Sequence, residues 1–192
     1  AVMRSDGSGG DLLCIPGGGS RFPTSAETVN QGMHFVKMNG REVFRFATRV
    51  MAQSTQEVVR KADLTLDDID LFVPHQANKR IIETAVRNLN IPMDRCAVNI
   101  DRFGNTSTAS IPIATCEAIV EGRLNPGDNV VFVGFGAGLT WGAALVKLSG
   151  PFPGLRVVRP PAFRFYAQLR SLVKSILRKI DSVIWGSLDS RR

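Results

Sequence analysis

Residues 71–80 read Leu71-Phe72-Val73-Pro74-His75-Gln76-Ala77-Asn78-Lys79-Arg80, and this stretch predicts both the fold and a functional site. The first four residues are typical of a short buried strand that ends at Pro74, and a helix is expected to start near Ala77. His75 then lies in the turn at the carboxyl end of the strand, where open α/β sheets place their ligands. We therefore take this imidazole as a candidate functional group.

A second polar stretch, Phe103-Gly104-Asn105-Thr106-Ser107-Thr108-Ala109-Ser110, predicts a Gly-Asn turn that leads into another helix. If both turns lie at neighbouring strand ends, His75 and Asn105 can converge on one oxygen atom. Two donors on one carbonyl oxygen stabilise negative charge that develops there, as in an oxyanion hole. Because neutral imidazole also accepts a proton, a role of His75 as a base stays open, as does a purely structural role.

The apolar patterns of residues 41–150 predict an α/β domain with a buried sheet between helices. Helices are expected at 41–62, 77–90 and 110–121, and strands at 70–74, 96–100, 129–133 and 139–148. The last two strands flank the connection Gly134-Phe135-Gly136-Ala137-Gly138, which indicates an antiparallel pair. Residues 1–40 are glycine-rich and are expected to form turns and an ordered loop, with a short strand at 11–15.

The net charge of +7 comes from the end of the chain. Residues 1–150 contain 15 basic and 15 acidic residues, whereas residues 151–192 contain nine basic and two acidic ones. A neutral main domain gives no support for nucleic-acid binding. The three cysteines, Cys14, Cys96 and Cys116, show no metal-ligand spacing, and no apolar run is long enough to cross a membrane. We expect a cytoplasmic protein without a metal site.

Residues 151–192 differ in character from the preceding domain. Four prolines mark a linker, and a basic amphipathic helix is predicted beyond it. Its apolar face could dock on the domain or on a partner subunit, or it could contact a membrane surface. A non-native or frame-altered terminus is a third interpretation. Because the chain starts without a helix cap or a lead-in strand, we also expect it to be a segment of a longer protein.

Three blocks of the chain resemble the signature blocks of the β-ketoacyl-acyl-carrier-protein synthase III family. These blocks are residues 73–82, 101–112 and 134–142. Residues 13–21 and 38–44 are also similar to that family, and all five stretches occur in the family's order. The resemblance covers the C-terminal half of a family member. It implies a thiolase-like α/β fold, with a mixed sheet between helices in each half, and assembly as a homodimer.

The resemblance implies the decarboxylative condensation of an acyl-CoA with malonyl-acyl-carrier protein, which starts fatty acid synthesis and needs no cofactor. His75 and Asn105 match the second and third members of the family's Cys-His-Asn triad and would hold the malonyl thioester oxygen. The backbone N–H near Ala137 would contribute to the oxyanion hole for the acyl group. The family's pantetheine tunnel corresponds to Gly40, Phe44, Ala77 and Asn78.

The resemblance also implies that acyl carrier protein docks through acidic residues on a basic surface. The matching positions are Arg45, Arg80 and Arg87, with Lys79 as a neighbour. No cysteine of the chain has the Ala-Cys-Ser/Ala-Gly context of the family's nucleophile, so we expect the chain alone to form no acyl-enzyme. Two alternatives stay open: a non-catalytic thiolase-fold partner subunit or pantetheine-binding module, and a membrane-surface adaptor based on the tail.

Overall fold

A mixed four-stranded sheet forms the centre of the computed structural model, which describes residues 1–150 and residue 152. The strands are β1 (Val2–Ser5), β2 (Leu13–Cys14), β3 (Lys37–Met38), β4 (Leu71–Pro74), β5 (Asn129–Gly136) and β6 (Thr140–Lys147). The sheet has the order β1-β6-β5-β4, in which β4 is parallel to β5 and the other two pairs are antiparallel. β2 and β3 form a separate antiparallel ladder. The predicted antiparallel pair around the glycine connection is confirmed.

The helices of the described part are α1 (Ala26–Asn30), α2 (Gly40–Lys61), α3 (Lys79–Leu89), α4 (Ile100–Phe103) and α5 (Ser110–Val120). Asparagine side chains cap two of them: Asn39 accepts from the N–H of Glu42 at 3.3 Å, and Asn78 accepts from the N–H of Arg80 at 2.9 Å. Because a capping oxygen satisfies a free N–H at a helix start, α3 begins two residues after the predicted Ala77. Within the described residues, no helix combines the length and the apolar character needed to span a bilayer.

Helices cover both faces of the sheet. Phe72 and Val131 belong to the core beneath α2 and α3, whereas Leu71, Val73 and Val130 belong to a second core beneath α5. Adjacent residues of a strand point to opposite faces, so a strand that is covered on both faces is apolar throughout. All five side chains are at most 1% exposed. The predicted buried sheet between helices is confirmed.

One local prediction is wrong, and one strand of the sheet was not predicted. The strand expected at 96–100 is reduced to a single parallel bridge between Phe72 and Cys96, because the chain turns away from the sheet and enters α4. A strand at the N-terminus was not predicted, yet β1 pairs with β6. Only Val2 of β1 is buried, so this edge strand lacks the alternating pattern by which strands are recognised.

Residues 1–40 share one compact unit, Ala1–Pro153, with the sheet and its helices. Val2 contributes to the main core, and β1 is part of the sheet. The linker and the amphipathic helix predicted for residues 151–192 lie, apart from Phe152, outside the described residues.

Candidate active site

His75 and Asn105 line the same cavity, which has a volume of about 690 Å³. It lies at the carboxyl end of β4, where the N–H of His75 donates to the carbonyl of Val133 at 2.8 Å. None of the residues that line the cavity carries a charge, and most of its wall is apolar. A cavity of this size, with few polar groups in an apolar wall, is typical of small-molecule and cofactor sites. The structure thus brings the two predicted loops to one space.

The residues expected along a pantetheine tunnel line this cavity as well. They are Gly40, Phe44, Ala77 and Asn78. The first two lie in the first turns of α2, and the other two directly precede α3. Leu13 and Met38, from the β2–β3 ladder, add apolar wall that the sequence motifs did not assign. The space is therefore formed between two helix starts and a short ladder.

The imidazole of His75 is half-buried and has a specific partner. Its Nδ1 lies 2.6 Å from Oγ of Ser110, the first residue of α5. The ring of Phe135 lies edge-on to it, with the ring centroids 5.5 Å apart. Burial lowers the pKa of His75 below its ordinary value, because the imidazolium loses hydration. The ring is therefore neutral at pH 7 and carries one N–H donor.

The carboxamide of Asn105 is oriented by its own turn. Its Oδ1 accepts the backbone N–H of Ser107 at 2.9 Å, and Ser107 has a left-handed backbone with a φ of 52°. This bond fixes the orientation of the amide, and Nδ2 is the group of the carboxamide that can donate to a ligand. The cavity is thus lined by one carboxamide donor and by one imidazole.

Gln76 connects the loop after β4 to the segment before α4, which motif reading did not predict. The side chain is fully buried. Its Nε2 donates to the carbonyls of Pro74 at 2.8 Å and Ala97 at 3.1 Å, and its Oε1 accepts the N–H of Asn99 at 3.0 Å. The bonds to Ala97 and Asn99 therefore fix the turn that carries His75 relative to the segment that leads into α4. No local sequence signal distinguishes this role, because Gln76 stands in a polar stretch between His75 and Asn78.

Ala137 is not among the residues that line the cavity. It lies in the exposed turn between β5 and β6, where its carbonyl accepts a hydrogen bond from Thr140 Oγ1 at 2.9 Å. The lining residues of this connection are Gly134, Phe135 and Gly136. An oxyanion role for a backbone N–H near Ala137 stays a prediction.

The four basic residues expected to dock a partner are all exposed. They are Arg45 on α2 and Lys79, Arg80 and Arg87 on α3. The guanidinium of Arg80 lies 5.9 Å from the ring centroid of Phe44, a cation–π distance that places it beside the cavity wall. Arg45 forms a 3.1 Å ion pair with Glu42, and such exposed pairs contribute little to stability.

None of the three cysteines lines the cavity. Cys96 is buried, and burial raises the pKa of its thiol to about 12, whereas Cys116 is exposed on α5. Over the described part of the chain, no group of three or more His, Cys, Asp or Glu side chains could hold a metal ion.

We expect Cys96 to resist alkylation in the native chain at pH 8, because the thiolate is the reactive form and burial suppresses it. Cys116 should react freely with iodoacetamide. Peptide mass spectrometry, with and without urea, measures both sites, and Cys116 is the internal control. Native alkylation of Cys96 at the rate of Cys116 would contradict its buried position.

The unfolding free energy is expected to fall as the pH drops below 6.5, in part because of His75. Unfolded histidine binds a proton near pH 6.5, whereas folded His75 does so only at a lower pH. Between these values the unfolded state holds more protons, so acid destabilises the fold, and the contribution vanishes above 6.5. Urea unfolding of the parent and of His75→Gln between pH 5 and 8 measures the difference.

Between pH 5 and 8, the unfolding free energy of His75→Gln should depend less steeply on pH than that of the parent. Asp6, Glu57 and Asp68 have hydrogen bonds that lower their pKa values, but they are present in both proteins and cancel in the comparison. Identical slopes for parent and variant would contradict the burial of His75.

Comparisons with known proteins agree with this arrangement. The family model described as 3-oxoacyl-[acyl-carrier-protein] synthase III C terminal matches residues 59–148. The β-ketoacyl-[acyl-carrier-protein] synthase III of Symbiobacterium thermophilum is 56% identical over 147 residues, which cover 77% of this chain and 44% of that protein. The corresponding protein of Clostridioides difficile is 52% identical over 145 residues, or 76% of this chain and 44% of that protein.

Solved structures show the same relationship. A β-ketoacyl-[acyl-carrier-protein] synthase III from Thermus thermophilus superposes with a TM-score of 0.70 at 51% identity, over 78% of this chain and 46% of that one. The synthase III of Pseudomonas aeruginosa superposes with a TM-score of 0.69 at 35% identity, over 79% of this chain and 44% of that one. The chain thus spans less than half the length of the relatives that it matches. It belongs to the β-ketoacyl-acyl-carrier-protein synthase III family and has the thiolase-like fold of that family's C-terminal domain.

Proposed function

We propose that this chain supplies the His-Asn part of the active site of a synthase that condenses acyl-CoA with malonyl-acyl-carrier protein. The placement of His75 and Asn105 in one uncharged cavity, together with all four expected tunnel residues, supports this function best. The family membership of the chain supports it independently. The nucleophilic thiol is assigned to the part of a complete synthase that the comparisons leave unmatched.

In this reaction the two side chains donate hydrogen bonds to the malonyl thioester oxygen. The electrons of the bond to the carboxylate move into an enolate as carbon dioxide leaves, and the oxygen gains negative charge. The enolate carbon then attacks the acyl group held on the thiol, which leaves as thiolate while the new carbon–carbon bond forms. Donors aimed at that oxygen act more strongly in an apolar, uncharged wall than they would in water.

The cavity also suits the chemistry of a pantetheine arm. The arm is uncharged along its length, and the cavity presents apolar side chains with a few amide and hydroxyl groups. Exposed Arg80, beside Phe44, lies where an acidic carrier protein could dock. Our proposal includes a homodimer, a cytoplasmic location and a reaction without a cofactor.

A chimera tests this function. Residues 1–148 replace the matching segment of the Symbiobacterium thermophilum synthase, and the product of acyl-CoA with malonyl-acyl-carrier protein is measured by mass spectrometry. We expect 3-oxoacyl-acyl-carrier protein to form. A folded chimera that becomes acylated but forms no product would overturn the catalytic proposal and favour a non-catalytic, pantetheine-binding role.

In the same chimera, Arg80→Ala is expected to lower kcat/KM for malonyl-acyl-carrier protein by roughly 3- to 10-fold at low ionic strength, since exposed charges mainly steer encounter. The loss should shrink as salt is added, because screening removes the attraction. Arg60→Ala, which replaces an exposed arginine in the last turn of α2, is the matched control. A loss for Arg80→Ala that does not change with salt would contradict steering.

A further inference from the structure

We propose that Ser110 is a positioning residue that holds His75 in the tautomer with its proton on Nε2. In that state the imidazole can only donate at Nε2, so His75 acts as a hydrogen-bond donor and not as a base in the resting site. The role of this donor in a reaction rests on the function proposed above. The tautomer itself is a property of the chain and can be measured without any reaction.

In the described part of the chain, the hydroxyl of Ser110 has one side-chain hydrogen-bond partner, the imidazole of His75. The residue is 1% exposed, and its Oγ lies 2.6 Å from Nδ1 of His75. Among the described residues it makes no other side-chain hydrogen bond, whereas Thr115, on the same helix, donates to the carbonyl of Ile111 at 2.8 Å. Buried hydroxyl groups are almost always satisfied. The O–H of Ser110 therefore donates to Nδ1, which must carry a lone pair.

The surroundings of His75 oppose the charged ring. Its burial lowers its pKa, and no charged residue lines the cavity. Ser110 lies in the first turn of α5, and the partial positive charge of a helix N-terminus disfavours an imidazolium nearby. A neutral ring whose Nδ1 accepts a hydrogen bond carries its only proton on Nε2.

This arrangement differs from a histidine that is oriented by a carboxylate. A carboxylate only accepts, so it selects a proton on Nδ1 and leaves Nε2 as the base, as in hydrolase triads. A hydroxyl can donate, and here it selects the opposite tautomer. Nε2–H of His75 and Nδ2–H of Asn105 are then two donors for one oxygen, with no base between them.

The test is nitrogen NMR of the full chain labelled with 15N-histidine, at a pH where the rings are neutral. The chain has two histidines, so His34→Gln assigns the signals of His75. We expect a lone-pair (pyridine-type) shift at Nδ1 and a protonated (pyrrole-type) shift at Nε2. In Ser110→Ala the Nδ1 signal should move toward the protonated position as both tautomers become populated.

Ser110→Thr keeps the hydroxyl and should retain the parent pattern. Thr115→Ala removes a hydroxyl from the same helix and should change nothing. A proton on Nδ1 in the parent chain would overturn the proposal, and so would an unchanged tautomer in folded Ser110→Ala. If Ser110→Ala fails to fold, the spectrum of the parent chain tests the proposal by itself, because it shows which nitrogen of His75 carries the proton. An inactive chimera with Nε2–H on His75 would refute the condensing function but leave this assignment intact.

Discussion

A chimeric synthase that carries His75→Ala is expected to lose condensation by about 10²–10³-fold, the cost of removing one donor from an oxyanion hole. Acylation by acyl-CoA should continue, because the proposed function assigns that step to a thiol in the Symbiobacterium thermophilum part of the chimera. The loss arises because the enolate oxygen then has one donor instead of two in an apolar wall. Asn105→Ala should have the same phenotype for the same reason.

Mass spectrometry of the acyl-enzyme and release of carbon dioxide from malonyl-acyl-carrier protein separate the two steps. His34→Ala is the matched control, since His34 bonds to Thr28 at 3.0 Å and does not line the cavity. It should condense at the parent rate. Condensation by His75→Ala at the parent rate would refute the assigned role, and loss of acylation would point to damage to the fold.

Gln76→Leu is expected to lower the unfolding free energy by about 3 kcal/mol or more, because each buried polar group left without a partner costs roughly 1–3 kcal/mol. The substitution keeps the volume but removes the bonds to Pro74, Ala97 and Asn99. The bonds to Ala97 and Asn99 join the turn of His75 to the segment that leads into α4, and Asn105 follows that helix. The same variant should therefore loosen the site as well as the core.

Urea unfolding measures the first effect, and the 15N signals of His75 report on the second. Gln53→Leu is the control, because Gln53 is exposed on α2 and its replacement should change stability by no more than about 0.5 kcal/mol. Equal stability of Gln76→Leu and Gln53→Leu would show that the buried bonds of Gln76 do not hold the loops.

Helices α2, α3 and α5 and the central strands were predictable because burial imposes a recognisable apolar pattern on their residues. In α3, Ile81, Ile82, Ala85, Val86 and Leu89 all face the core, and the strand before His75 is apolar throughout because helices cover both of its faces. The edge strand β1 was missed because a strand that buries one residue has no period to recognise. The prediction of a strand at 96–100 was wrong because an apolar run does not show where the chain turns away from the sheet.

The sequence predicted the polar groups of the candidate site but not the residues that hold them in place. His75 and Asn105 stand out as polar residues at strand ends, and the family resemblance marks the tunnel residues Gly40, Phe44, Ala77 and Asn78, which line the same cavity. The partnership of Ser110 with His75 joins residues 35 positions apart. No local pattern encodes a contact of that kind.

The order of residues along the chain by itself determined the three longer helices, the central strands, the family and the two polar groups, because periodicity, caps and motifs are local properties. Only the tertiary structure decided which atoms face each other: Ser110 on Nδ1 of His75, Gln76 between two loops, and an uncharged wall around both donors. These contacts depend on how helices pack against the sheet, and that packing also sets the burial that keeps the imidazole neutral.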